Sequence, residues 1–106
     1  MLEDRDFIKS CDVPGPTKEA IRAIIIYKSG VTSDDKVVDC GCGTGGITCE
    51  FSQRAREVIA IDTNPEAIQM TSRNLEKFGL GDNITLINDN GSNALKNIDD
   101  IDIALV

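Results

Sequence analysis

Residues Val37 to Gly46 read Val-Val-Asp-Cys-Gly-Cys-Gly-Thr-Gly-Gly, a short apolar segment that passes through a carboxylate into a glycine-rich turn. The apolar part reads as a buried strand, and Gly46 opens a helix whose first amides have no partner inside it. Glycines at 41, 43 and 45 remove the side chains that would hold backbone amides away from a ligand. Strand, bare turn and helix in that order imply a parallel α/β unit with a nucleotide-like cofactor lying on main chain.

Gly41, Gly43 and Gly46 also satisfy the dinucleotide pattern G-x-G-x-x-G, so the glycines alone do not choose the ligand. Charge does. Asp39 is expected to point into the pocket at the carboxyl end of the strand, where a dinucleotide places its pyrophosphate. Like charges at about 4–6 Å oppose each other by roughly a kcal/mol or more in a partly buried site. S-adenosylmethionine brings an ammonium and a sulfonium instead, which a carboxylate attracts. The order D-x-G-x-G-x-G therefore favours the methyl donor over NAD.

Val58 to Ile61 reads as the next strand, with Asp62 at its end, where a carboxylate can accept hydrogen bonds from ribose hydroxyls. Asn64 and Pro65 supply the following helix with an N-cap and a first residue, which leaves Asp62 free for the ligand. The third strand, Ile84 to Ile87, ends in Asn88-Asp89-Asn90-Gly91-Ser92. Asn90 or the bare amide at Gly91 is expected to read the adenine edge; the rival reading is a turn with a helix cap.

The remaining elements alternate. Pro14-Gly15-Pro16 stops any earlier regular structure, and Thr17 can cap a helix to about Lys28 whose apolar face is Ile21, Ala23, Ile24, Ile25 and Tyr27, with Gly30 as its stop. The first strand covers about Lys36 to Cys40, and the helix after the glycine turn shows Ile47, Phe51 and Ala55 at four-residue spacing. A helix from Pro65 to Phe78 carries Ile68, Thr71, Leu75 and Phe78, and Gly79 ends it. Ser92 to Asn97 reads as one helical turn and Ile101 to Val106 as a fourth strand. The pattern implies a Rossmann-like α/β fold: a parallel sheet in strand order 3-2-1-4, helices on both faces, and a ligand beyond the carboxyl ends of the central strands.

Charge and cysteine usage narrow the partners. Eleven basic residues against eighteen acidic give a net charge of −7 with no Lys or Arg cluster, so nucleic acid is not an expected partner. The N-terminus is charged and the longest apolar run, Ala23 to Tyr27, is too short to span a membrane, so a cytoplasmic location is expected. Cys40 and Cys42 are spaced C-x-C, and the chain has no histidine. Together with Cys11 and Cys49 they read as small packing residues, with no metal site and no structural disulfide expected.

The sequence resembles class I S-adenosylmethionine-dependent methyltransferases, and more closely the decarboxylating cobalt-precorrin C-15 methyltransferases of cobalamin biosynthesis. The segments that carry the likeness are Val13 to Arg22, Val38 to Gly46, Ala60 to Ile68 and Asp99 to Ala104. Pro14-Gly15-Pro16-Thr17 is the more specific of them, since the glycine and Asp62 motifs recur in many methyltransferases. The resemblance implies cofactor contacts at Thr17, at Gly41, Cys42, Gly43, Thr44 and Gly45, at Asp62 and near Gly91. It also implies a tetrapyrrole acceptor methylated at C-15 with loss of carbon dioxide from the C-12 acetate, and assembly as a homo-oligomer, a tetramer. Where the family has a Gly-Asp-Ala type of sequence in the third loop, this chain has Asp89-Asn90-Gly91.

Methyl transfer is an in-line displacement at an already activated carbon, so no side chain here is required as acid or base and no catalytic residue is named. Residues 1–106 are expected to be a cofactor-binding domain that stops after the fourth strand, short of the further strands such enzymes carry. A class I methyltransferase for another acceptor (protein, RNA or small metabolite) and a non-catalytic cofactor-binding fragment stay open beside the corrinoid reading.

Overall fold

The computed structural model describes residues 1–106. Strands β1 (Lys36–Cys40), β2 (Glu57–Asp62), β3 (Ile84–Asn88) and β4 (Ile103–Leu105) form one parallel sheet in the order β3-β2-β1-β4. That is the order expected from the alternation of strands and helices. Val37 pairs with both Val58 and Ile103, so the strand that leads into the glycine turn lies inside the sheet.

Alternation along each strand sorts the core into two faces. Val37 and Val58 meet Phe51 of helix α2 (Gly46–Ser52) and Ile25 of helix α1 (Glu19–Ser29) on one side. On the same side Ile84 and Leu86 of β3 pack with Leu75 of helix α3 (Pro65–Lys77). Val38, Ile59 and Ile61 face the opposite way, onto Ala94 and Leu95 of helix α4 (Gly91–Leu95). Helices thus cover both faces of the sheet. None of them is long and apolar enough to cross a membrane.

Local chemistry sets most of the boundaries. Asn64 caps α3, its side-chain oxygen accepting from the Glu66 amide at 2.9 Å, with Pro65 at the first helical position. Gly30 ends α1 in the left-handed conformation at φ 64°. Three boundaries shift by a few residues: α2 stops at Ser52 rather than continuing to Ala55, α4 spans Gly91–Leu95, and β4 only Ile103–Leu105. Ser52 donates back to the Cys49 carbonyl at 2.8 Å, and Ala55 still joins Ile47 and Phe51 in one apolar cluster from the turn beyond.

Helix α1 departs further from expectation. Lys18, not Thr17, is its N-cap residue, and no side chain caps it. Thr17 is held outside the helix because the Arg22 guanidinium donates to its carbonyl. Of the expected apolar face only Ile25 reaches the core, joined there by Ile26, while Ile21, Ile24 and Tyr27 stand 49%, 55% and 82% exposed. The one residue of α1 that is fully buried is Arg22.

That arginine organises the first seventeen residues, which wrap over α1, α2 and α3 as a strap with a 3-10 turn at Asp4–Asp6. Its Nε donates to Glu50 Oε2 at 3.0 Å, its Nη1 donates to Asp4 Oδ1 at 2.7 Å, and its Nη2 reaches the Leu2 carbonyl. Its guanidinium carbon lies 5.0 Å from the Phe7 ring centre. Glu50, also fully buried, accepts in addition from the Leu2 amide at 3.1 Å and from Arg54 at 3.3 Å. The Arg22 hydrogen bond holds the Asp4 carboxyl below the usual carboxylate range. Every buried polar side-chain atom in the chain has a partner.

Candidate functional site

Three cavities meet at the carboxyl ends of β1 and β2, and Gly41 lines all of them. The first, about 250 Å³, lies between strap residues Pro14 to Thr17 and the glycine turn Gly41 to Gly46. The second, about 230 Å³, is walled by Cys40, Ile61, Asp62, Thr63, Asp89 and Gly91. The third, about 190 Å³, opens on the α1 side among Ile25, Asp39, Ile47, Leu105 and Val106. All the residues expected to hold the cofactor, Thr17, Gly41 to Gly45, Asp62 and Gly91, line the first or second cavity.

Gly41 leaves its backbone bare at the meeting point of the three cavities. It sits at φ +89°, and a Cβ built there meets no protein atom within 4 Å. A side chain at this position would occupy the shared crevice instead of packing on the protein, so the missing Cβ leaves room for a ligand against the main chain. Gly91 is constrained differently, since a Cβ there would overlap the Cys40 sulfur. Glycine lets the third loop close down on the end of β1.

The two carboxylates behave otherwise than expected. Asp39 does not stand in the glycine-loop cavity. The twofold alternation of β1 turns it to the α1–α2 side, where it is 5% exposed and accepts from the Thr48 hydroxyl at 2.6 Å. Burial raises its pKa; the Thr48 hydrogen bond opposes the rise and repulsion from Asp62 adds to it. Asp62 is not free. One of its oxygens accepts from the Gly43 amide at 3.0 Å and the other from the Asn64 amide at 2.9 Å. A carboxylate at a strand end beside an open turn finds the nearest unpaired amides, although each oxygen keeps a second lone pair for a ligand hydroxyl. Neither acid is in an ion pair.

Other expected contacts resolve by side chain. The Asn90 side-chain oxygen caps α4, accepting from the Asn93 amide at 2.7 Å and the Ser92 hydroxyl at 3.0 Å, as the helix-cap reading expects. Thr44 is 2% exposed and donates its hydroxyl to the Pro14 carbonyl at 2.8 Å, fastening the strap to the turn. Cys42 is buried against Thr71, and burial pushes its thiol up to about 11; for Cys49 the same cause gives about 12. All four cysteines are free thiols. Arg22, Glu50 and Asn74 were not legible as structural centres in the sequence, for a helical polar residue carries no local mark of facing inward.

The Methyltransferase domain model matches residues 37–106, two thirds of the sequence from β1 onward. The chain belongs to this methyltransferase family. A relative from Methanobrevibacter smithii, described as a probable cobalt-precorrin-6B C(15)-methyltransferase (decarboxylating), is 76% identical over the whole of this chain and 57% of its own length. The crystal structure of precorrin 8W decarboxylase from Methanobacterium thermoautotrophicum superposes with a TM-score of 0.96 at 50% identity, over 98% of this chain and 56% of that one. A protein of Streptococcus mutans solved in complex with SAH, at TM-score 0.65 and 26% identity, covers 78% of this chain and 47% of its own. The chain spans just over half the length of the relatives it matches over its whole extent.

Proposed function

We propose that this chain binds S-adenosylmethionine and belongs to an enzyme that methylates a cobalt-precorrin at C-15 with decarboxylation. The observation that carries the cofactor reading is the bare Gly41 backbone at the meeting point of three cavities, flanked by two acids without cationic partners. A diphosphate entering that crevice meets like charge, whereas an ammonium or sulfonium meets opposite charge. The corrinoid acceptor rests on the relatives' names, supported by 76% identity over all 106 residues in the Methanobrevibacter smithii protein.

Each residue then has a task. Gly41 leaves room for the ligand against the main chain. Gly43 spends its amide on Asp62 and so fixes that carboxylate at the crevice, and Asp62 uses its remaining lone pairs to accept from ribose hydroxyls. Gly91 and Asp89 close the far wall beside Asp62, and Thr17 with Pro14 to Pro16 closes the near one. Cys42, Thr44 and Gly45 shape the turn, and Asp39 contributes negative potential from beneath it. When bound, S-adenosylmethionine supplies a methyl group activated by its sulfonium. The protein's share is alignment and the removal of water.

Calorimetric titration of the full-length protein with S-adenosylhomocysteine and with NAD tests the cofactor. Binding of the first and not the second is expected; binding of NAD alone ends the methyltransferase reading. Methyl transfer from labelled S-adenosylmethionine to cobalt-precorrin-6B, with release of carbon dioxide, tests the acceptor. Cofactor binding without transfer to that tetrapyrrole would leave a methyltransferase for another acceptor.

A further inference from the structure

Two fully buried polar residues of α3, Thr71 and Asn74, lie one helical turn apart and spend their side-chain hydrogen bonds outside their own helix. The Thr71 hydroxyl donates to the Gly43 carbonyl at 3.0 Å, with the Cys42 sulfur 3.4 Å away. Asn74 Nδ2 donates to the Thr44 carbonyl at 2.9 Å and to the Ile8 carbonyl at 3.1 Å, while Asn74 Oδ1 accepts from the Ile8 amide at 2.7 Å. One side chain therefore ties the glycine turn and the strap to a single helix.

A trans peptide carries its N–H opposite its C=O. Drawing the Gly43 carbonyl toward α3 turns the Thr44 amide away from α3, and Thr44 is one of the residues that line the strap cavity. That amide makes no hydrogen bond within the chain. The packing is close as well: a Cβ on Gly45 would come within 2.9 Å of the Thr71 Cα. The turn is thus pressed against the two residues that orient it.

We infer that Thr71 and Asn74 are positioning residues for the cofactor crevice: they hold the Gly43 and Thr44 carbonyls on the α3 side, aim the Thr44 amide at the ligand and lock the strap wall to the same frame. The ligand part of this inference rests on the cofactor reading above, whereas the orientation of the turn does not.

The test uses Thr71→Val, which keeps the shape and removes the hydroxyl, Thr71→Ser, which restores it, and Asn74→Asp, which removes the donors. In the full-length protein, S-adenosylhomocysteine is titrated calorimetrically and the Thr44 amide is followed by NMR without ligand. Thr71→Val is expected to weaken binding roughly tenfold, the worth of one buried hydrogen bond, and to displace the Thr44 amide signal, with Thr71→Ser close to wild type. A variant that merely unfolds in part lowers the number of sites and not their affinity. Asn74→Asp is expected to expose the strap, seen as trypsin cleavage after Lys9 about tenfold faster than in wild type. Unchanged affinity together with an unmoved Thr44 amide in Thr71→Val overturns the inference, as does unchanged cleavage in Asn74→Asp. If wild type itself does not bind S-adenosylhomocysteine, the cofactor reading fails, and the Thr44 amide signal alone decides the positioning role. Where affinity and amide disagree, the amide decides.

Discussion

The two faces of the sheet are built from different materials. The α4 side is an apolar cluster of Val38, Ile59, Ile61 and Ala94, with Leu95, Ile98 and Ile101 around it. The α1–α2–α3 side buries Arg22, Asp39, Thr48, Glu50, Thr71 and Asn74 among its hydrophobic residues. Apolar contact is enough to cover a sheet, because it is not directional. Holding a glycine turn and a strap at fixed angles takes directional bonds, and those lie on the face where both pass. The contrast teaches that polar burial here follows the crevice and not the fold.

The sharpest way to break this contrast is to remove a charge from the polar face. Arg22→Met leaves Glu50 buried without its main cation and releases Leu2, Asp4 and Thr17, so a loss of about 3–5 kcal/mol is expected in urea unfolding. Ile59→Val on the α4 face removes one methylene and is expected to cost only ~1 kcal/mol. Equal losses in the two variants would erase the distinction.

Gly45→Ala probes the same face through the backbone. Its φ of +99° disfavours any side chain, and the added Cβ would press on Thr71. A loss of about 2–3 kcal/mol is expected by the same measurement. A variant as stable as the parent would show that the turn can move off α3.

The smallest effect concerns Asp39, and its sign is fixed by the direction of its shift. Burial raises the folded-state pKa above the ordinary value of 3.8, so the folded protein binds this proton more tightly than the unfolded chain does. The stability it contributes is complete below 3.8 and is lost as pH rises through the raised value. The side-chain amide introduced by Asp39→Asn does not ionise, and its oxygen can still accept from Thr48. The variant is therefore expected to melt ~2–4 °C above wild type at neutral pH, with the gap closing in acid, while binding S-adenosylhomocysteine less tightly. A gap that widens in acid would reverse the assignment.

Legibility followed the range of the physics. Asn64-Pro65, Gly30 and the apolar runs of β1, β2 and β3 act within a few residues, so strands, caps and the order of the sheet could be read directly. Gly41, Asp62 and Gly91 could be placed together because a parallel sheet brings strand ends to one edge. What those residues and their neighbours do once there could not be read. Asp62 takes two amides, Asn90 caps a helix and Asp39 turns to the opposite wall from the one expected.

The pattern of glycines, apolar runs and strand-end carboxylates determined a parallel α/β sheet with a crevice at the end of β1. Tertiary structure alone decided that α1 turns Arg22 inward instead of Ile21 and Ile24, and that α3 spends Thr71 and Asn74 on the turn and strap. The reason is distance along the chain. Arg22 meets Glu50 and Asn74 meets Ile8 only after the sheet has assembled, and a hydrogen bond between such residues leaves no periodic trace in the segments that make it.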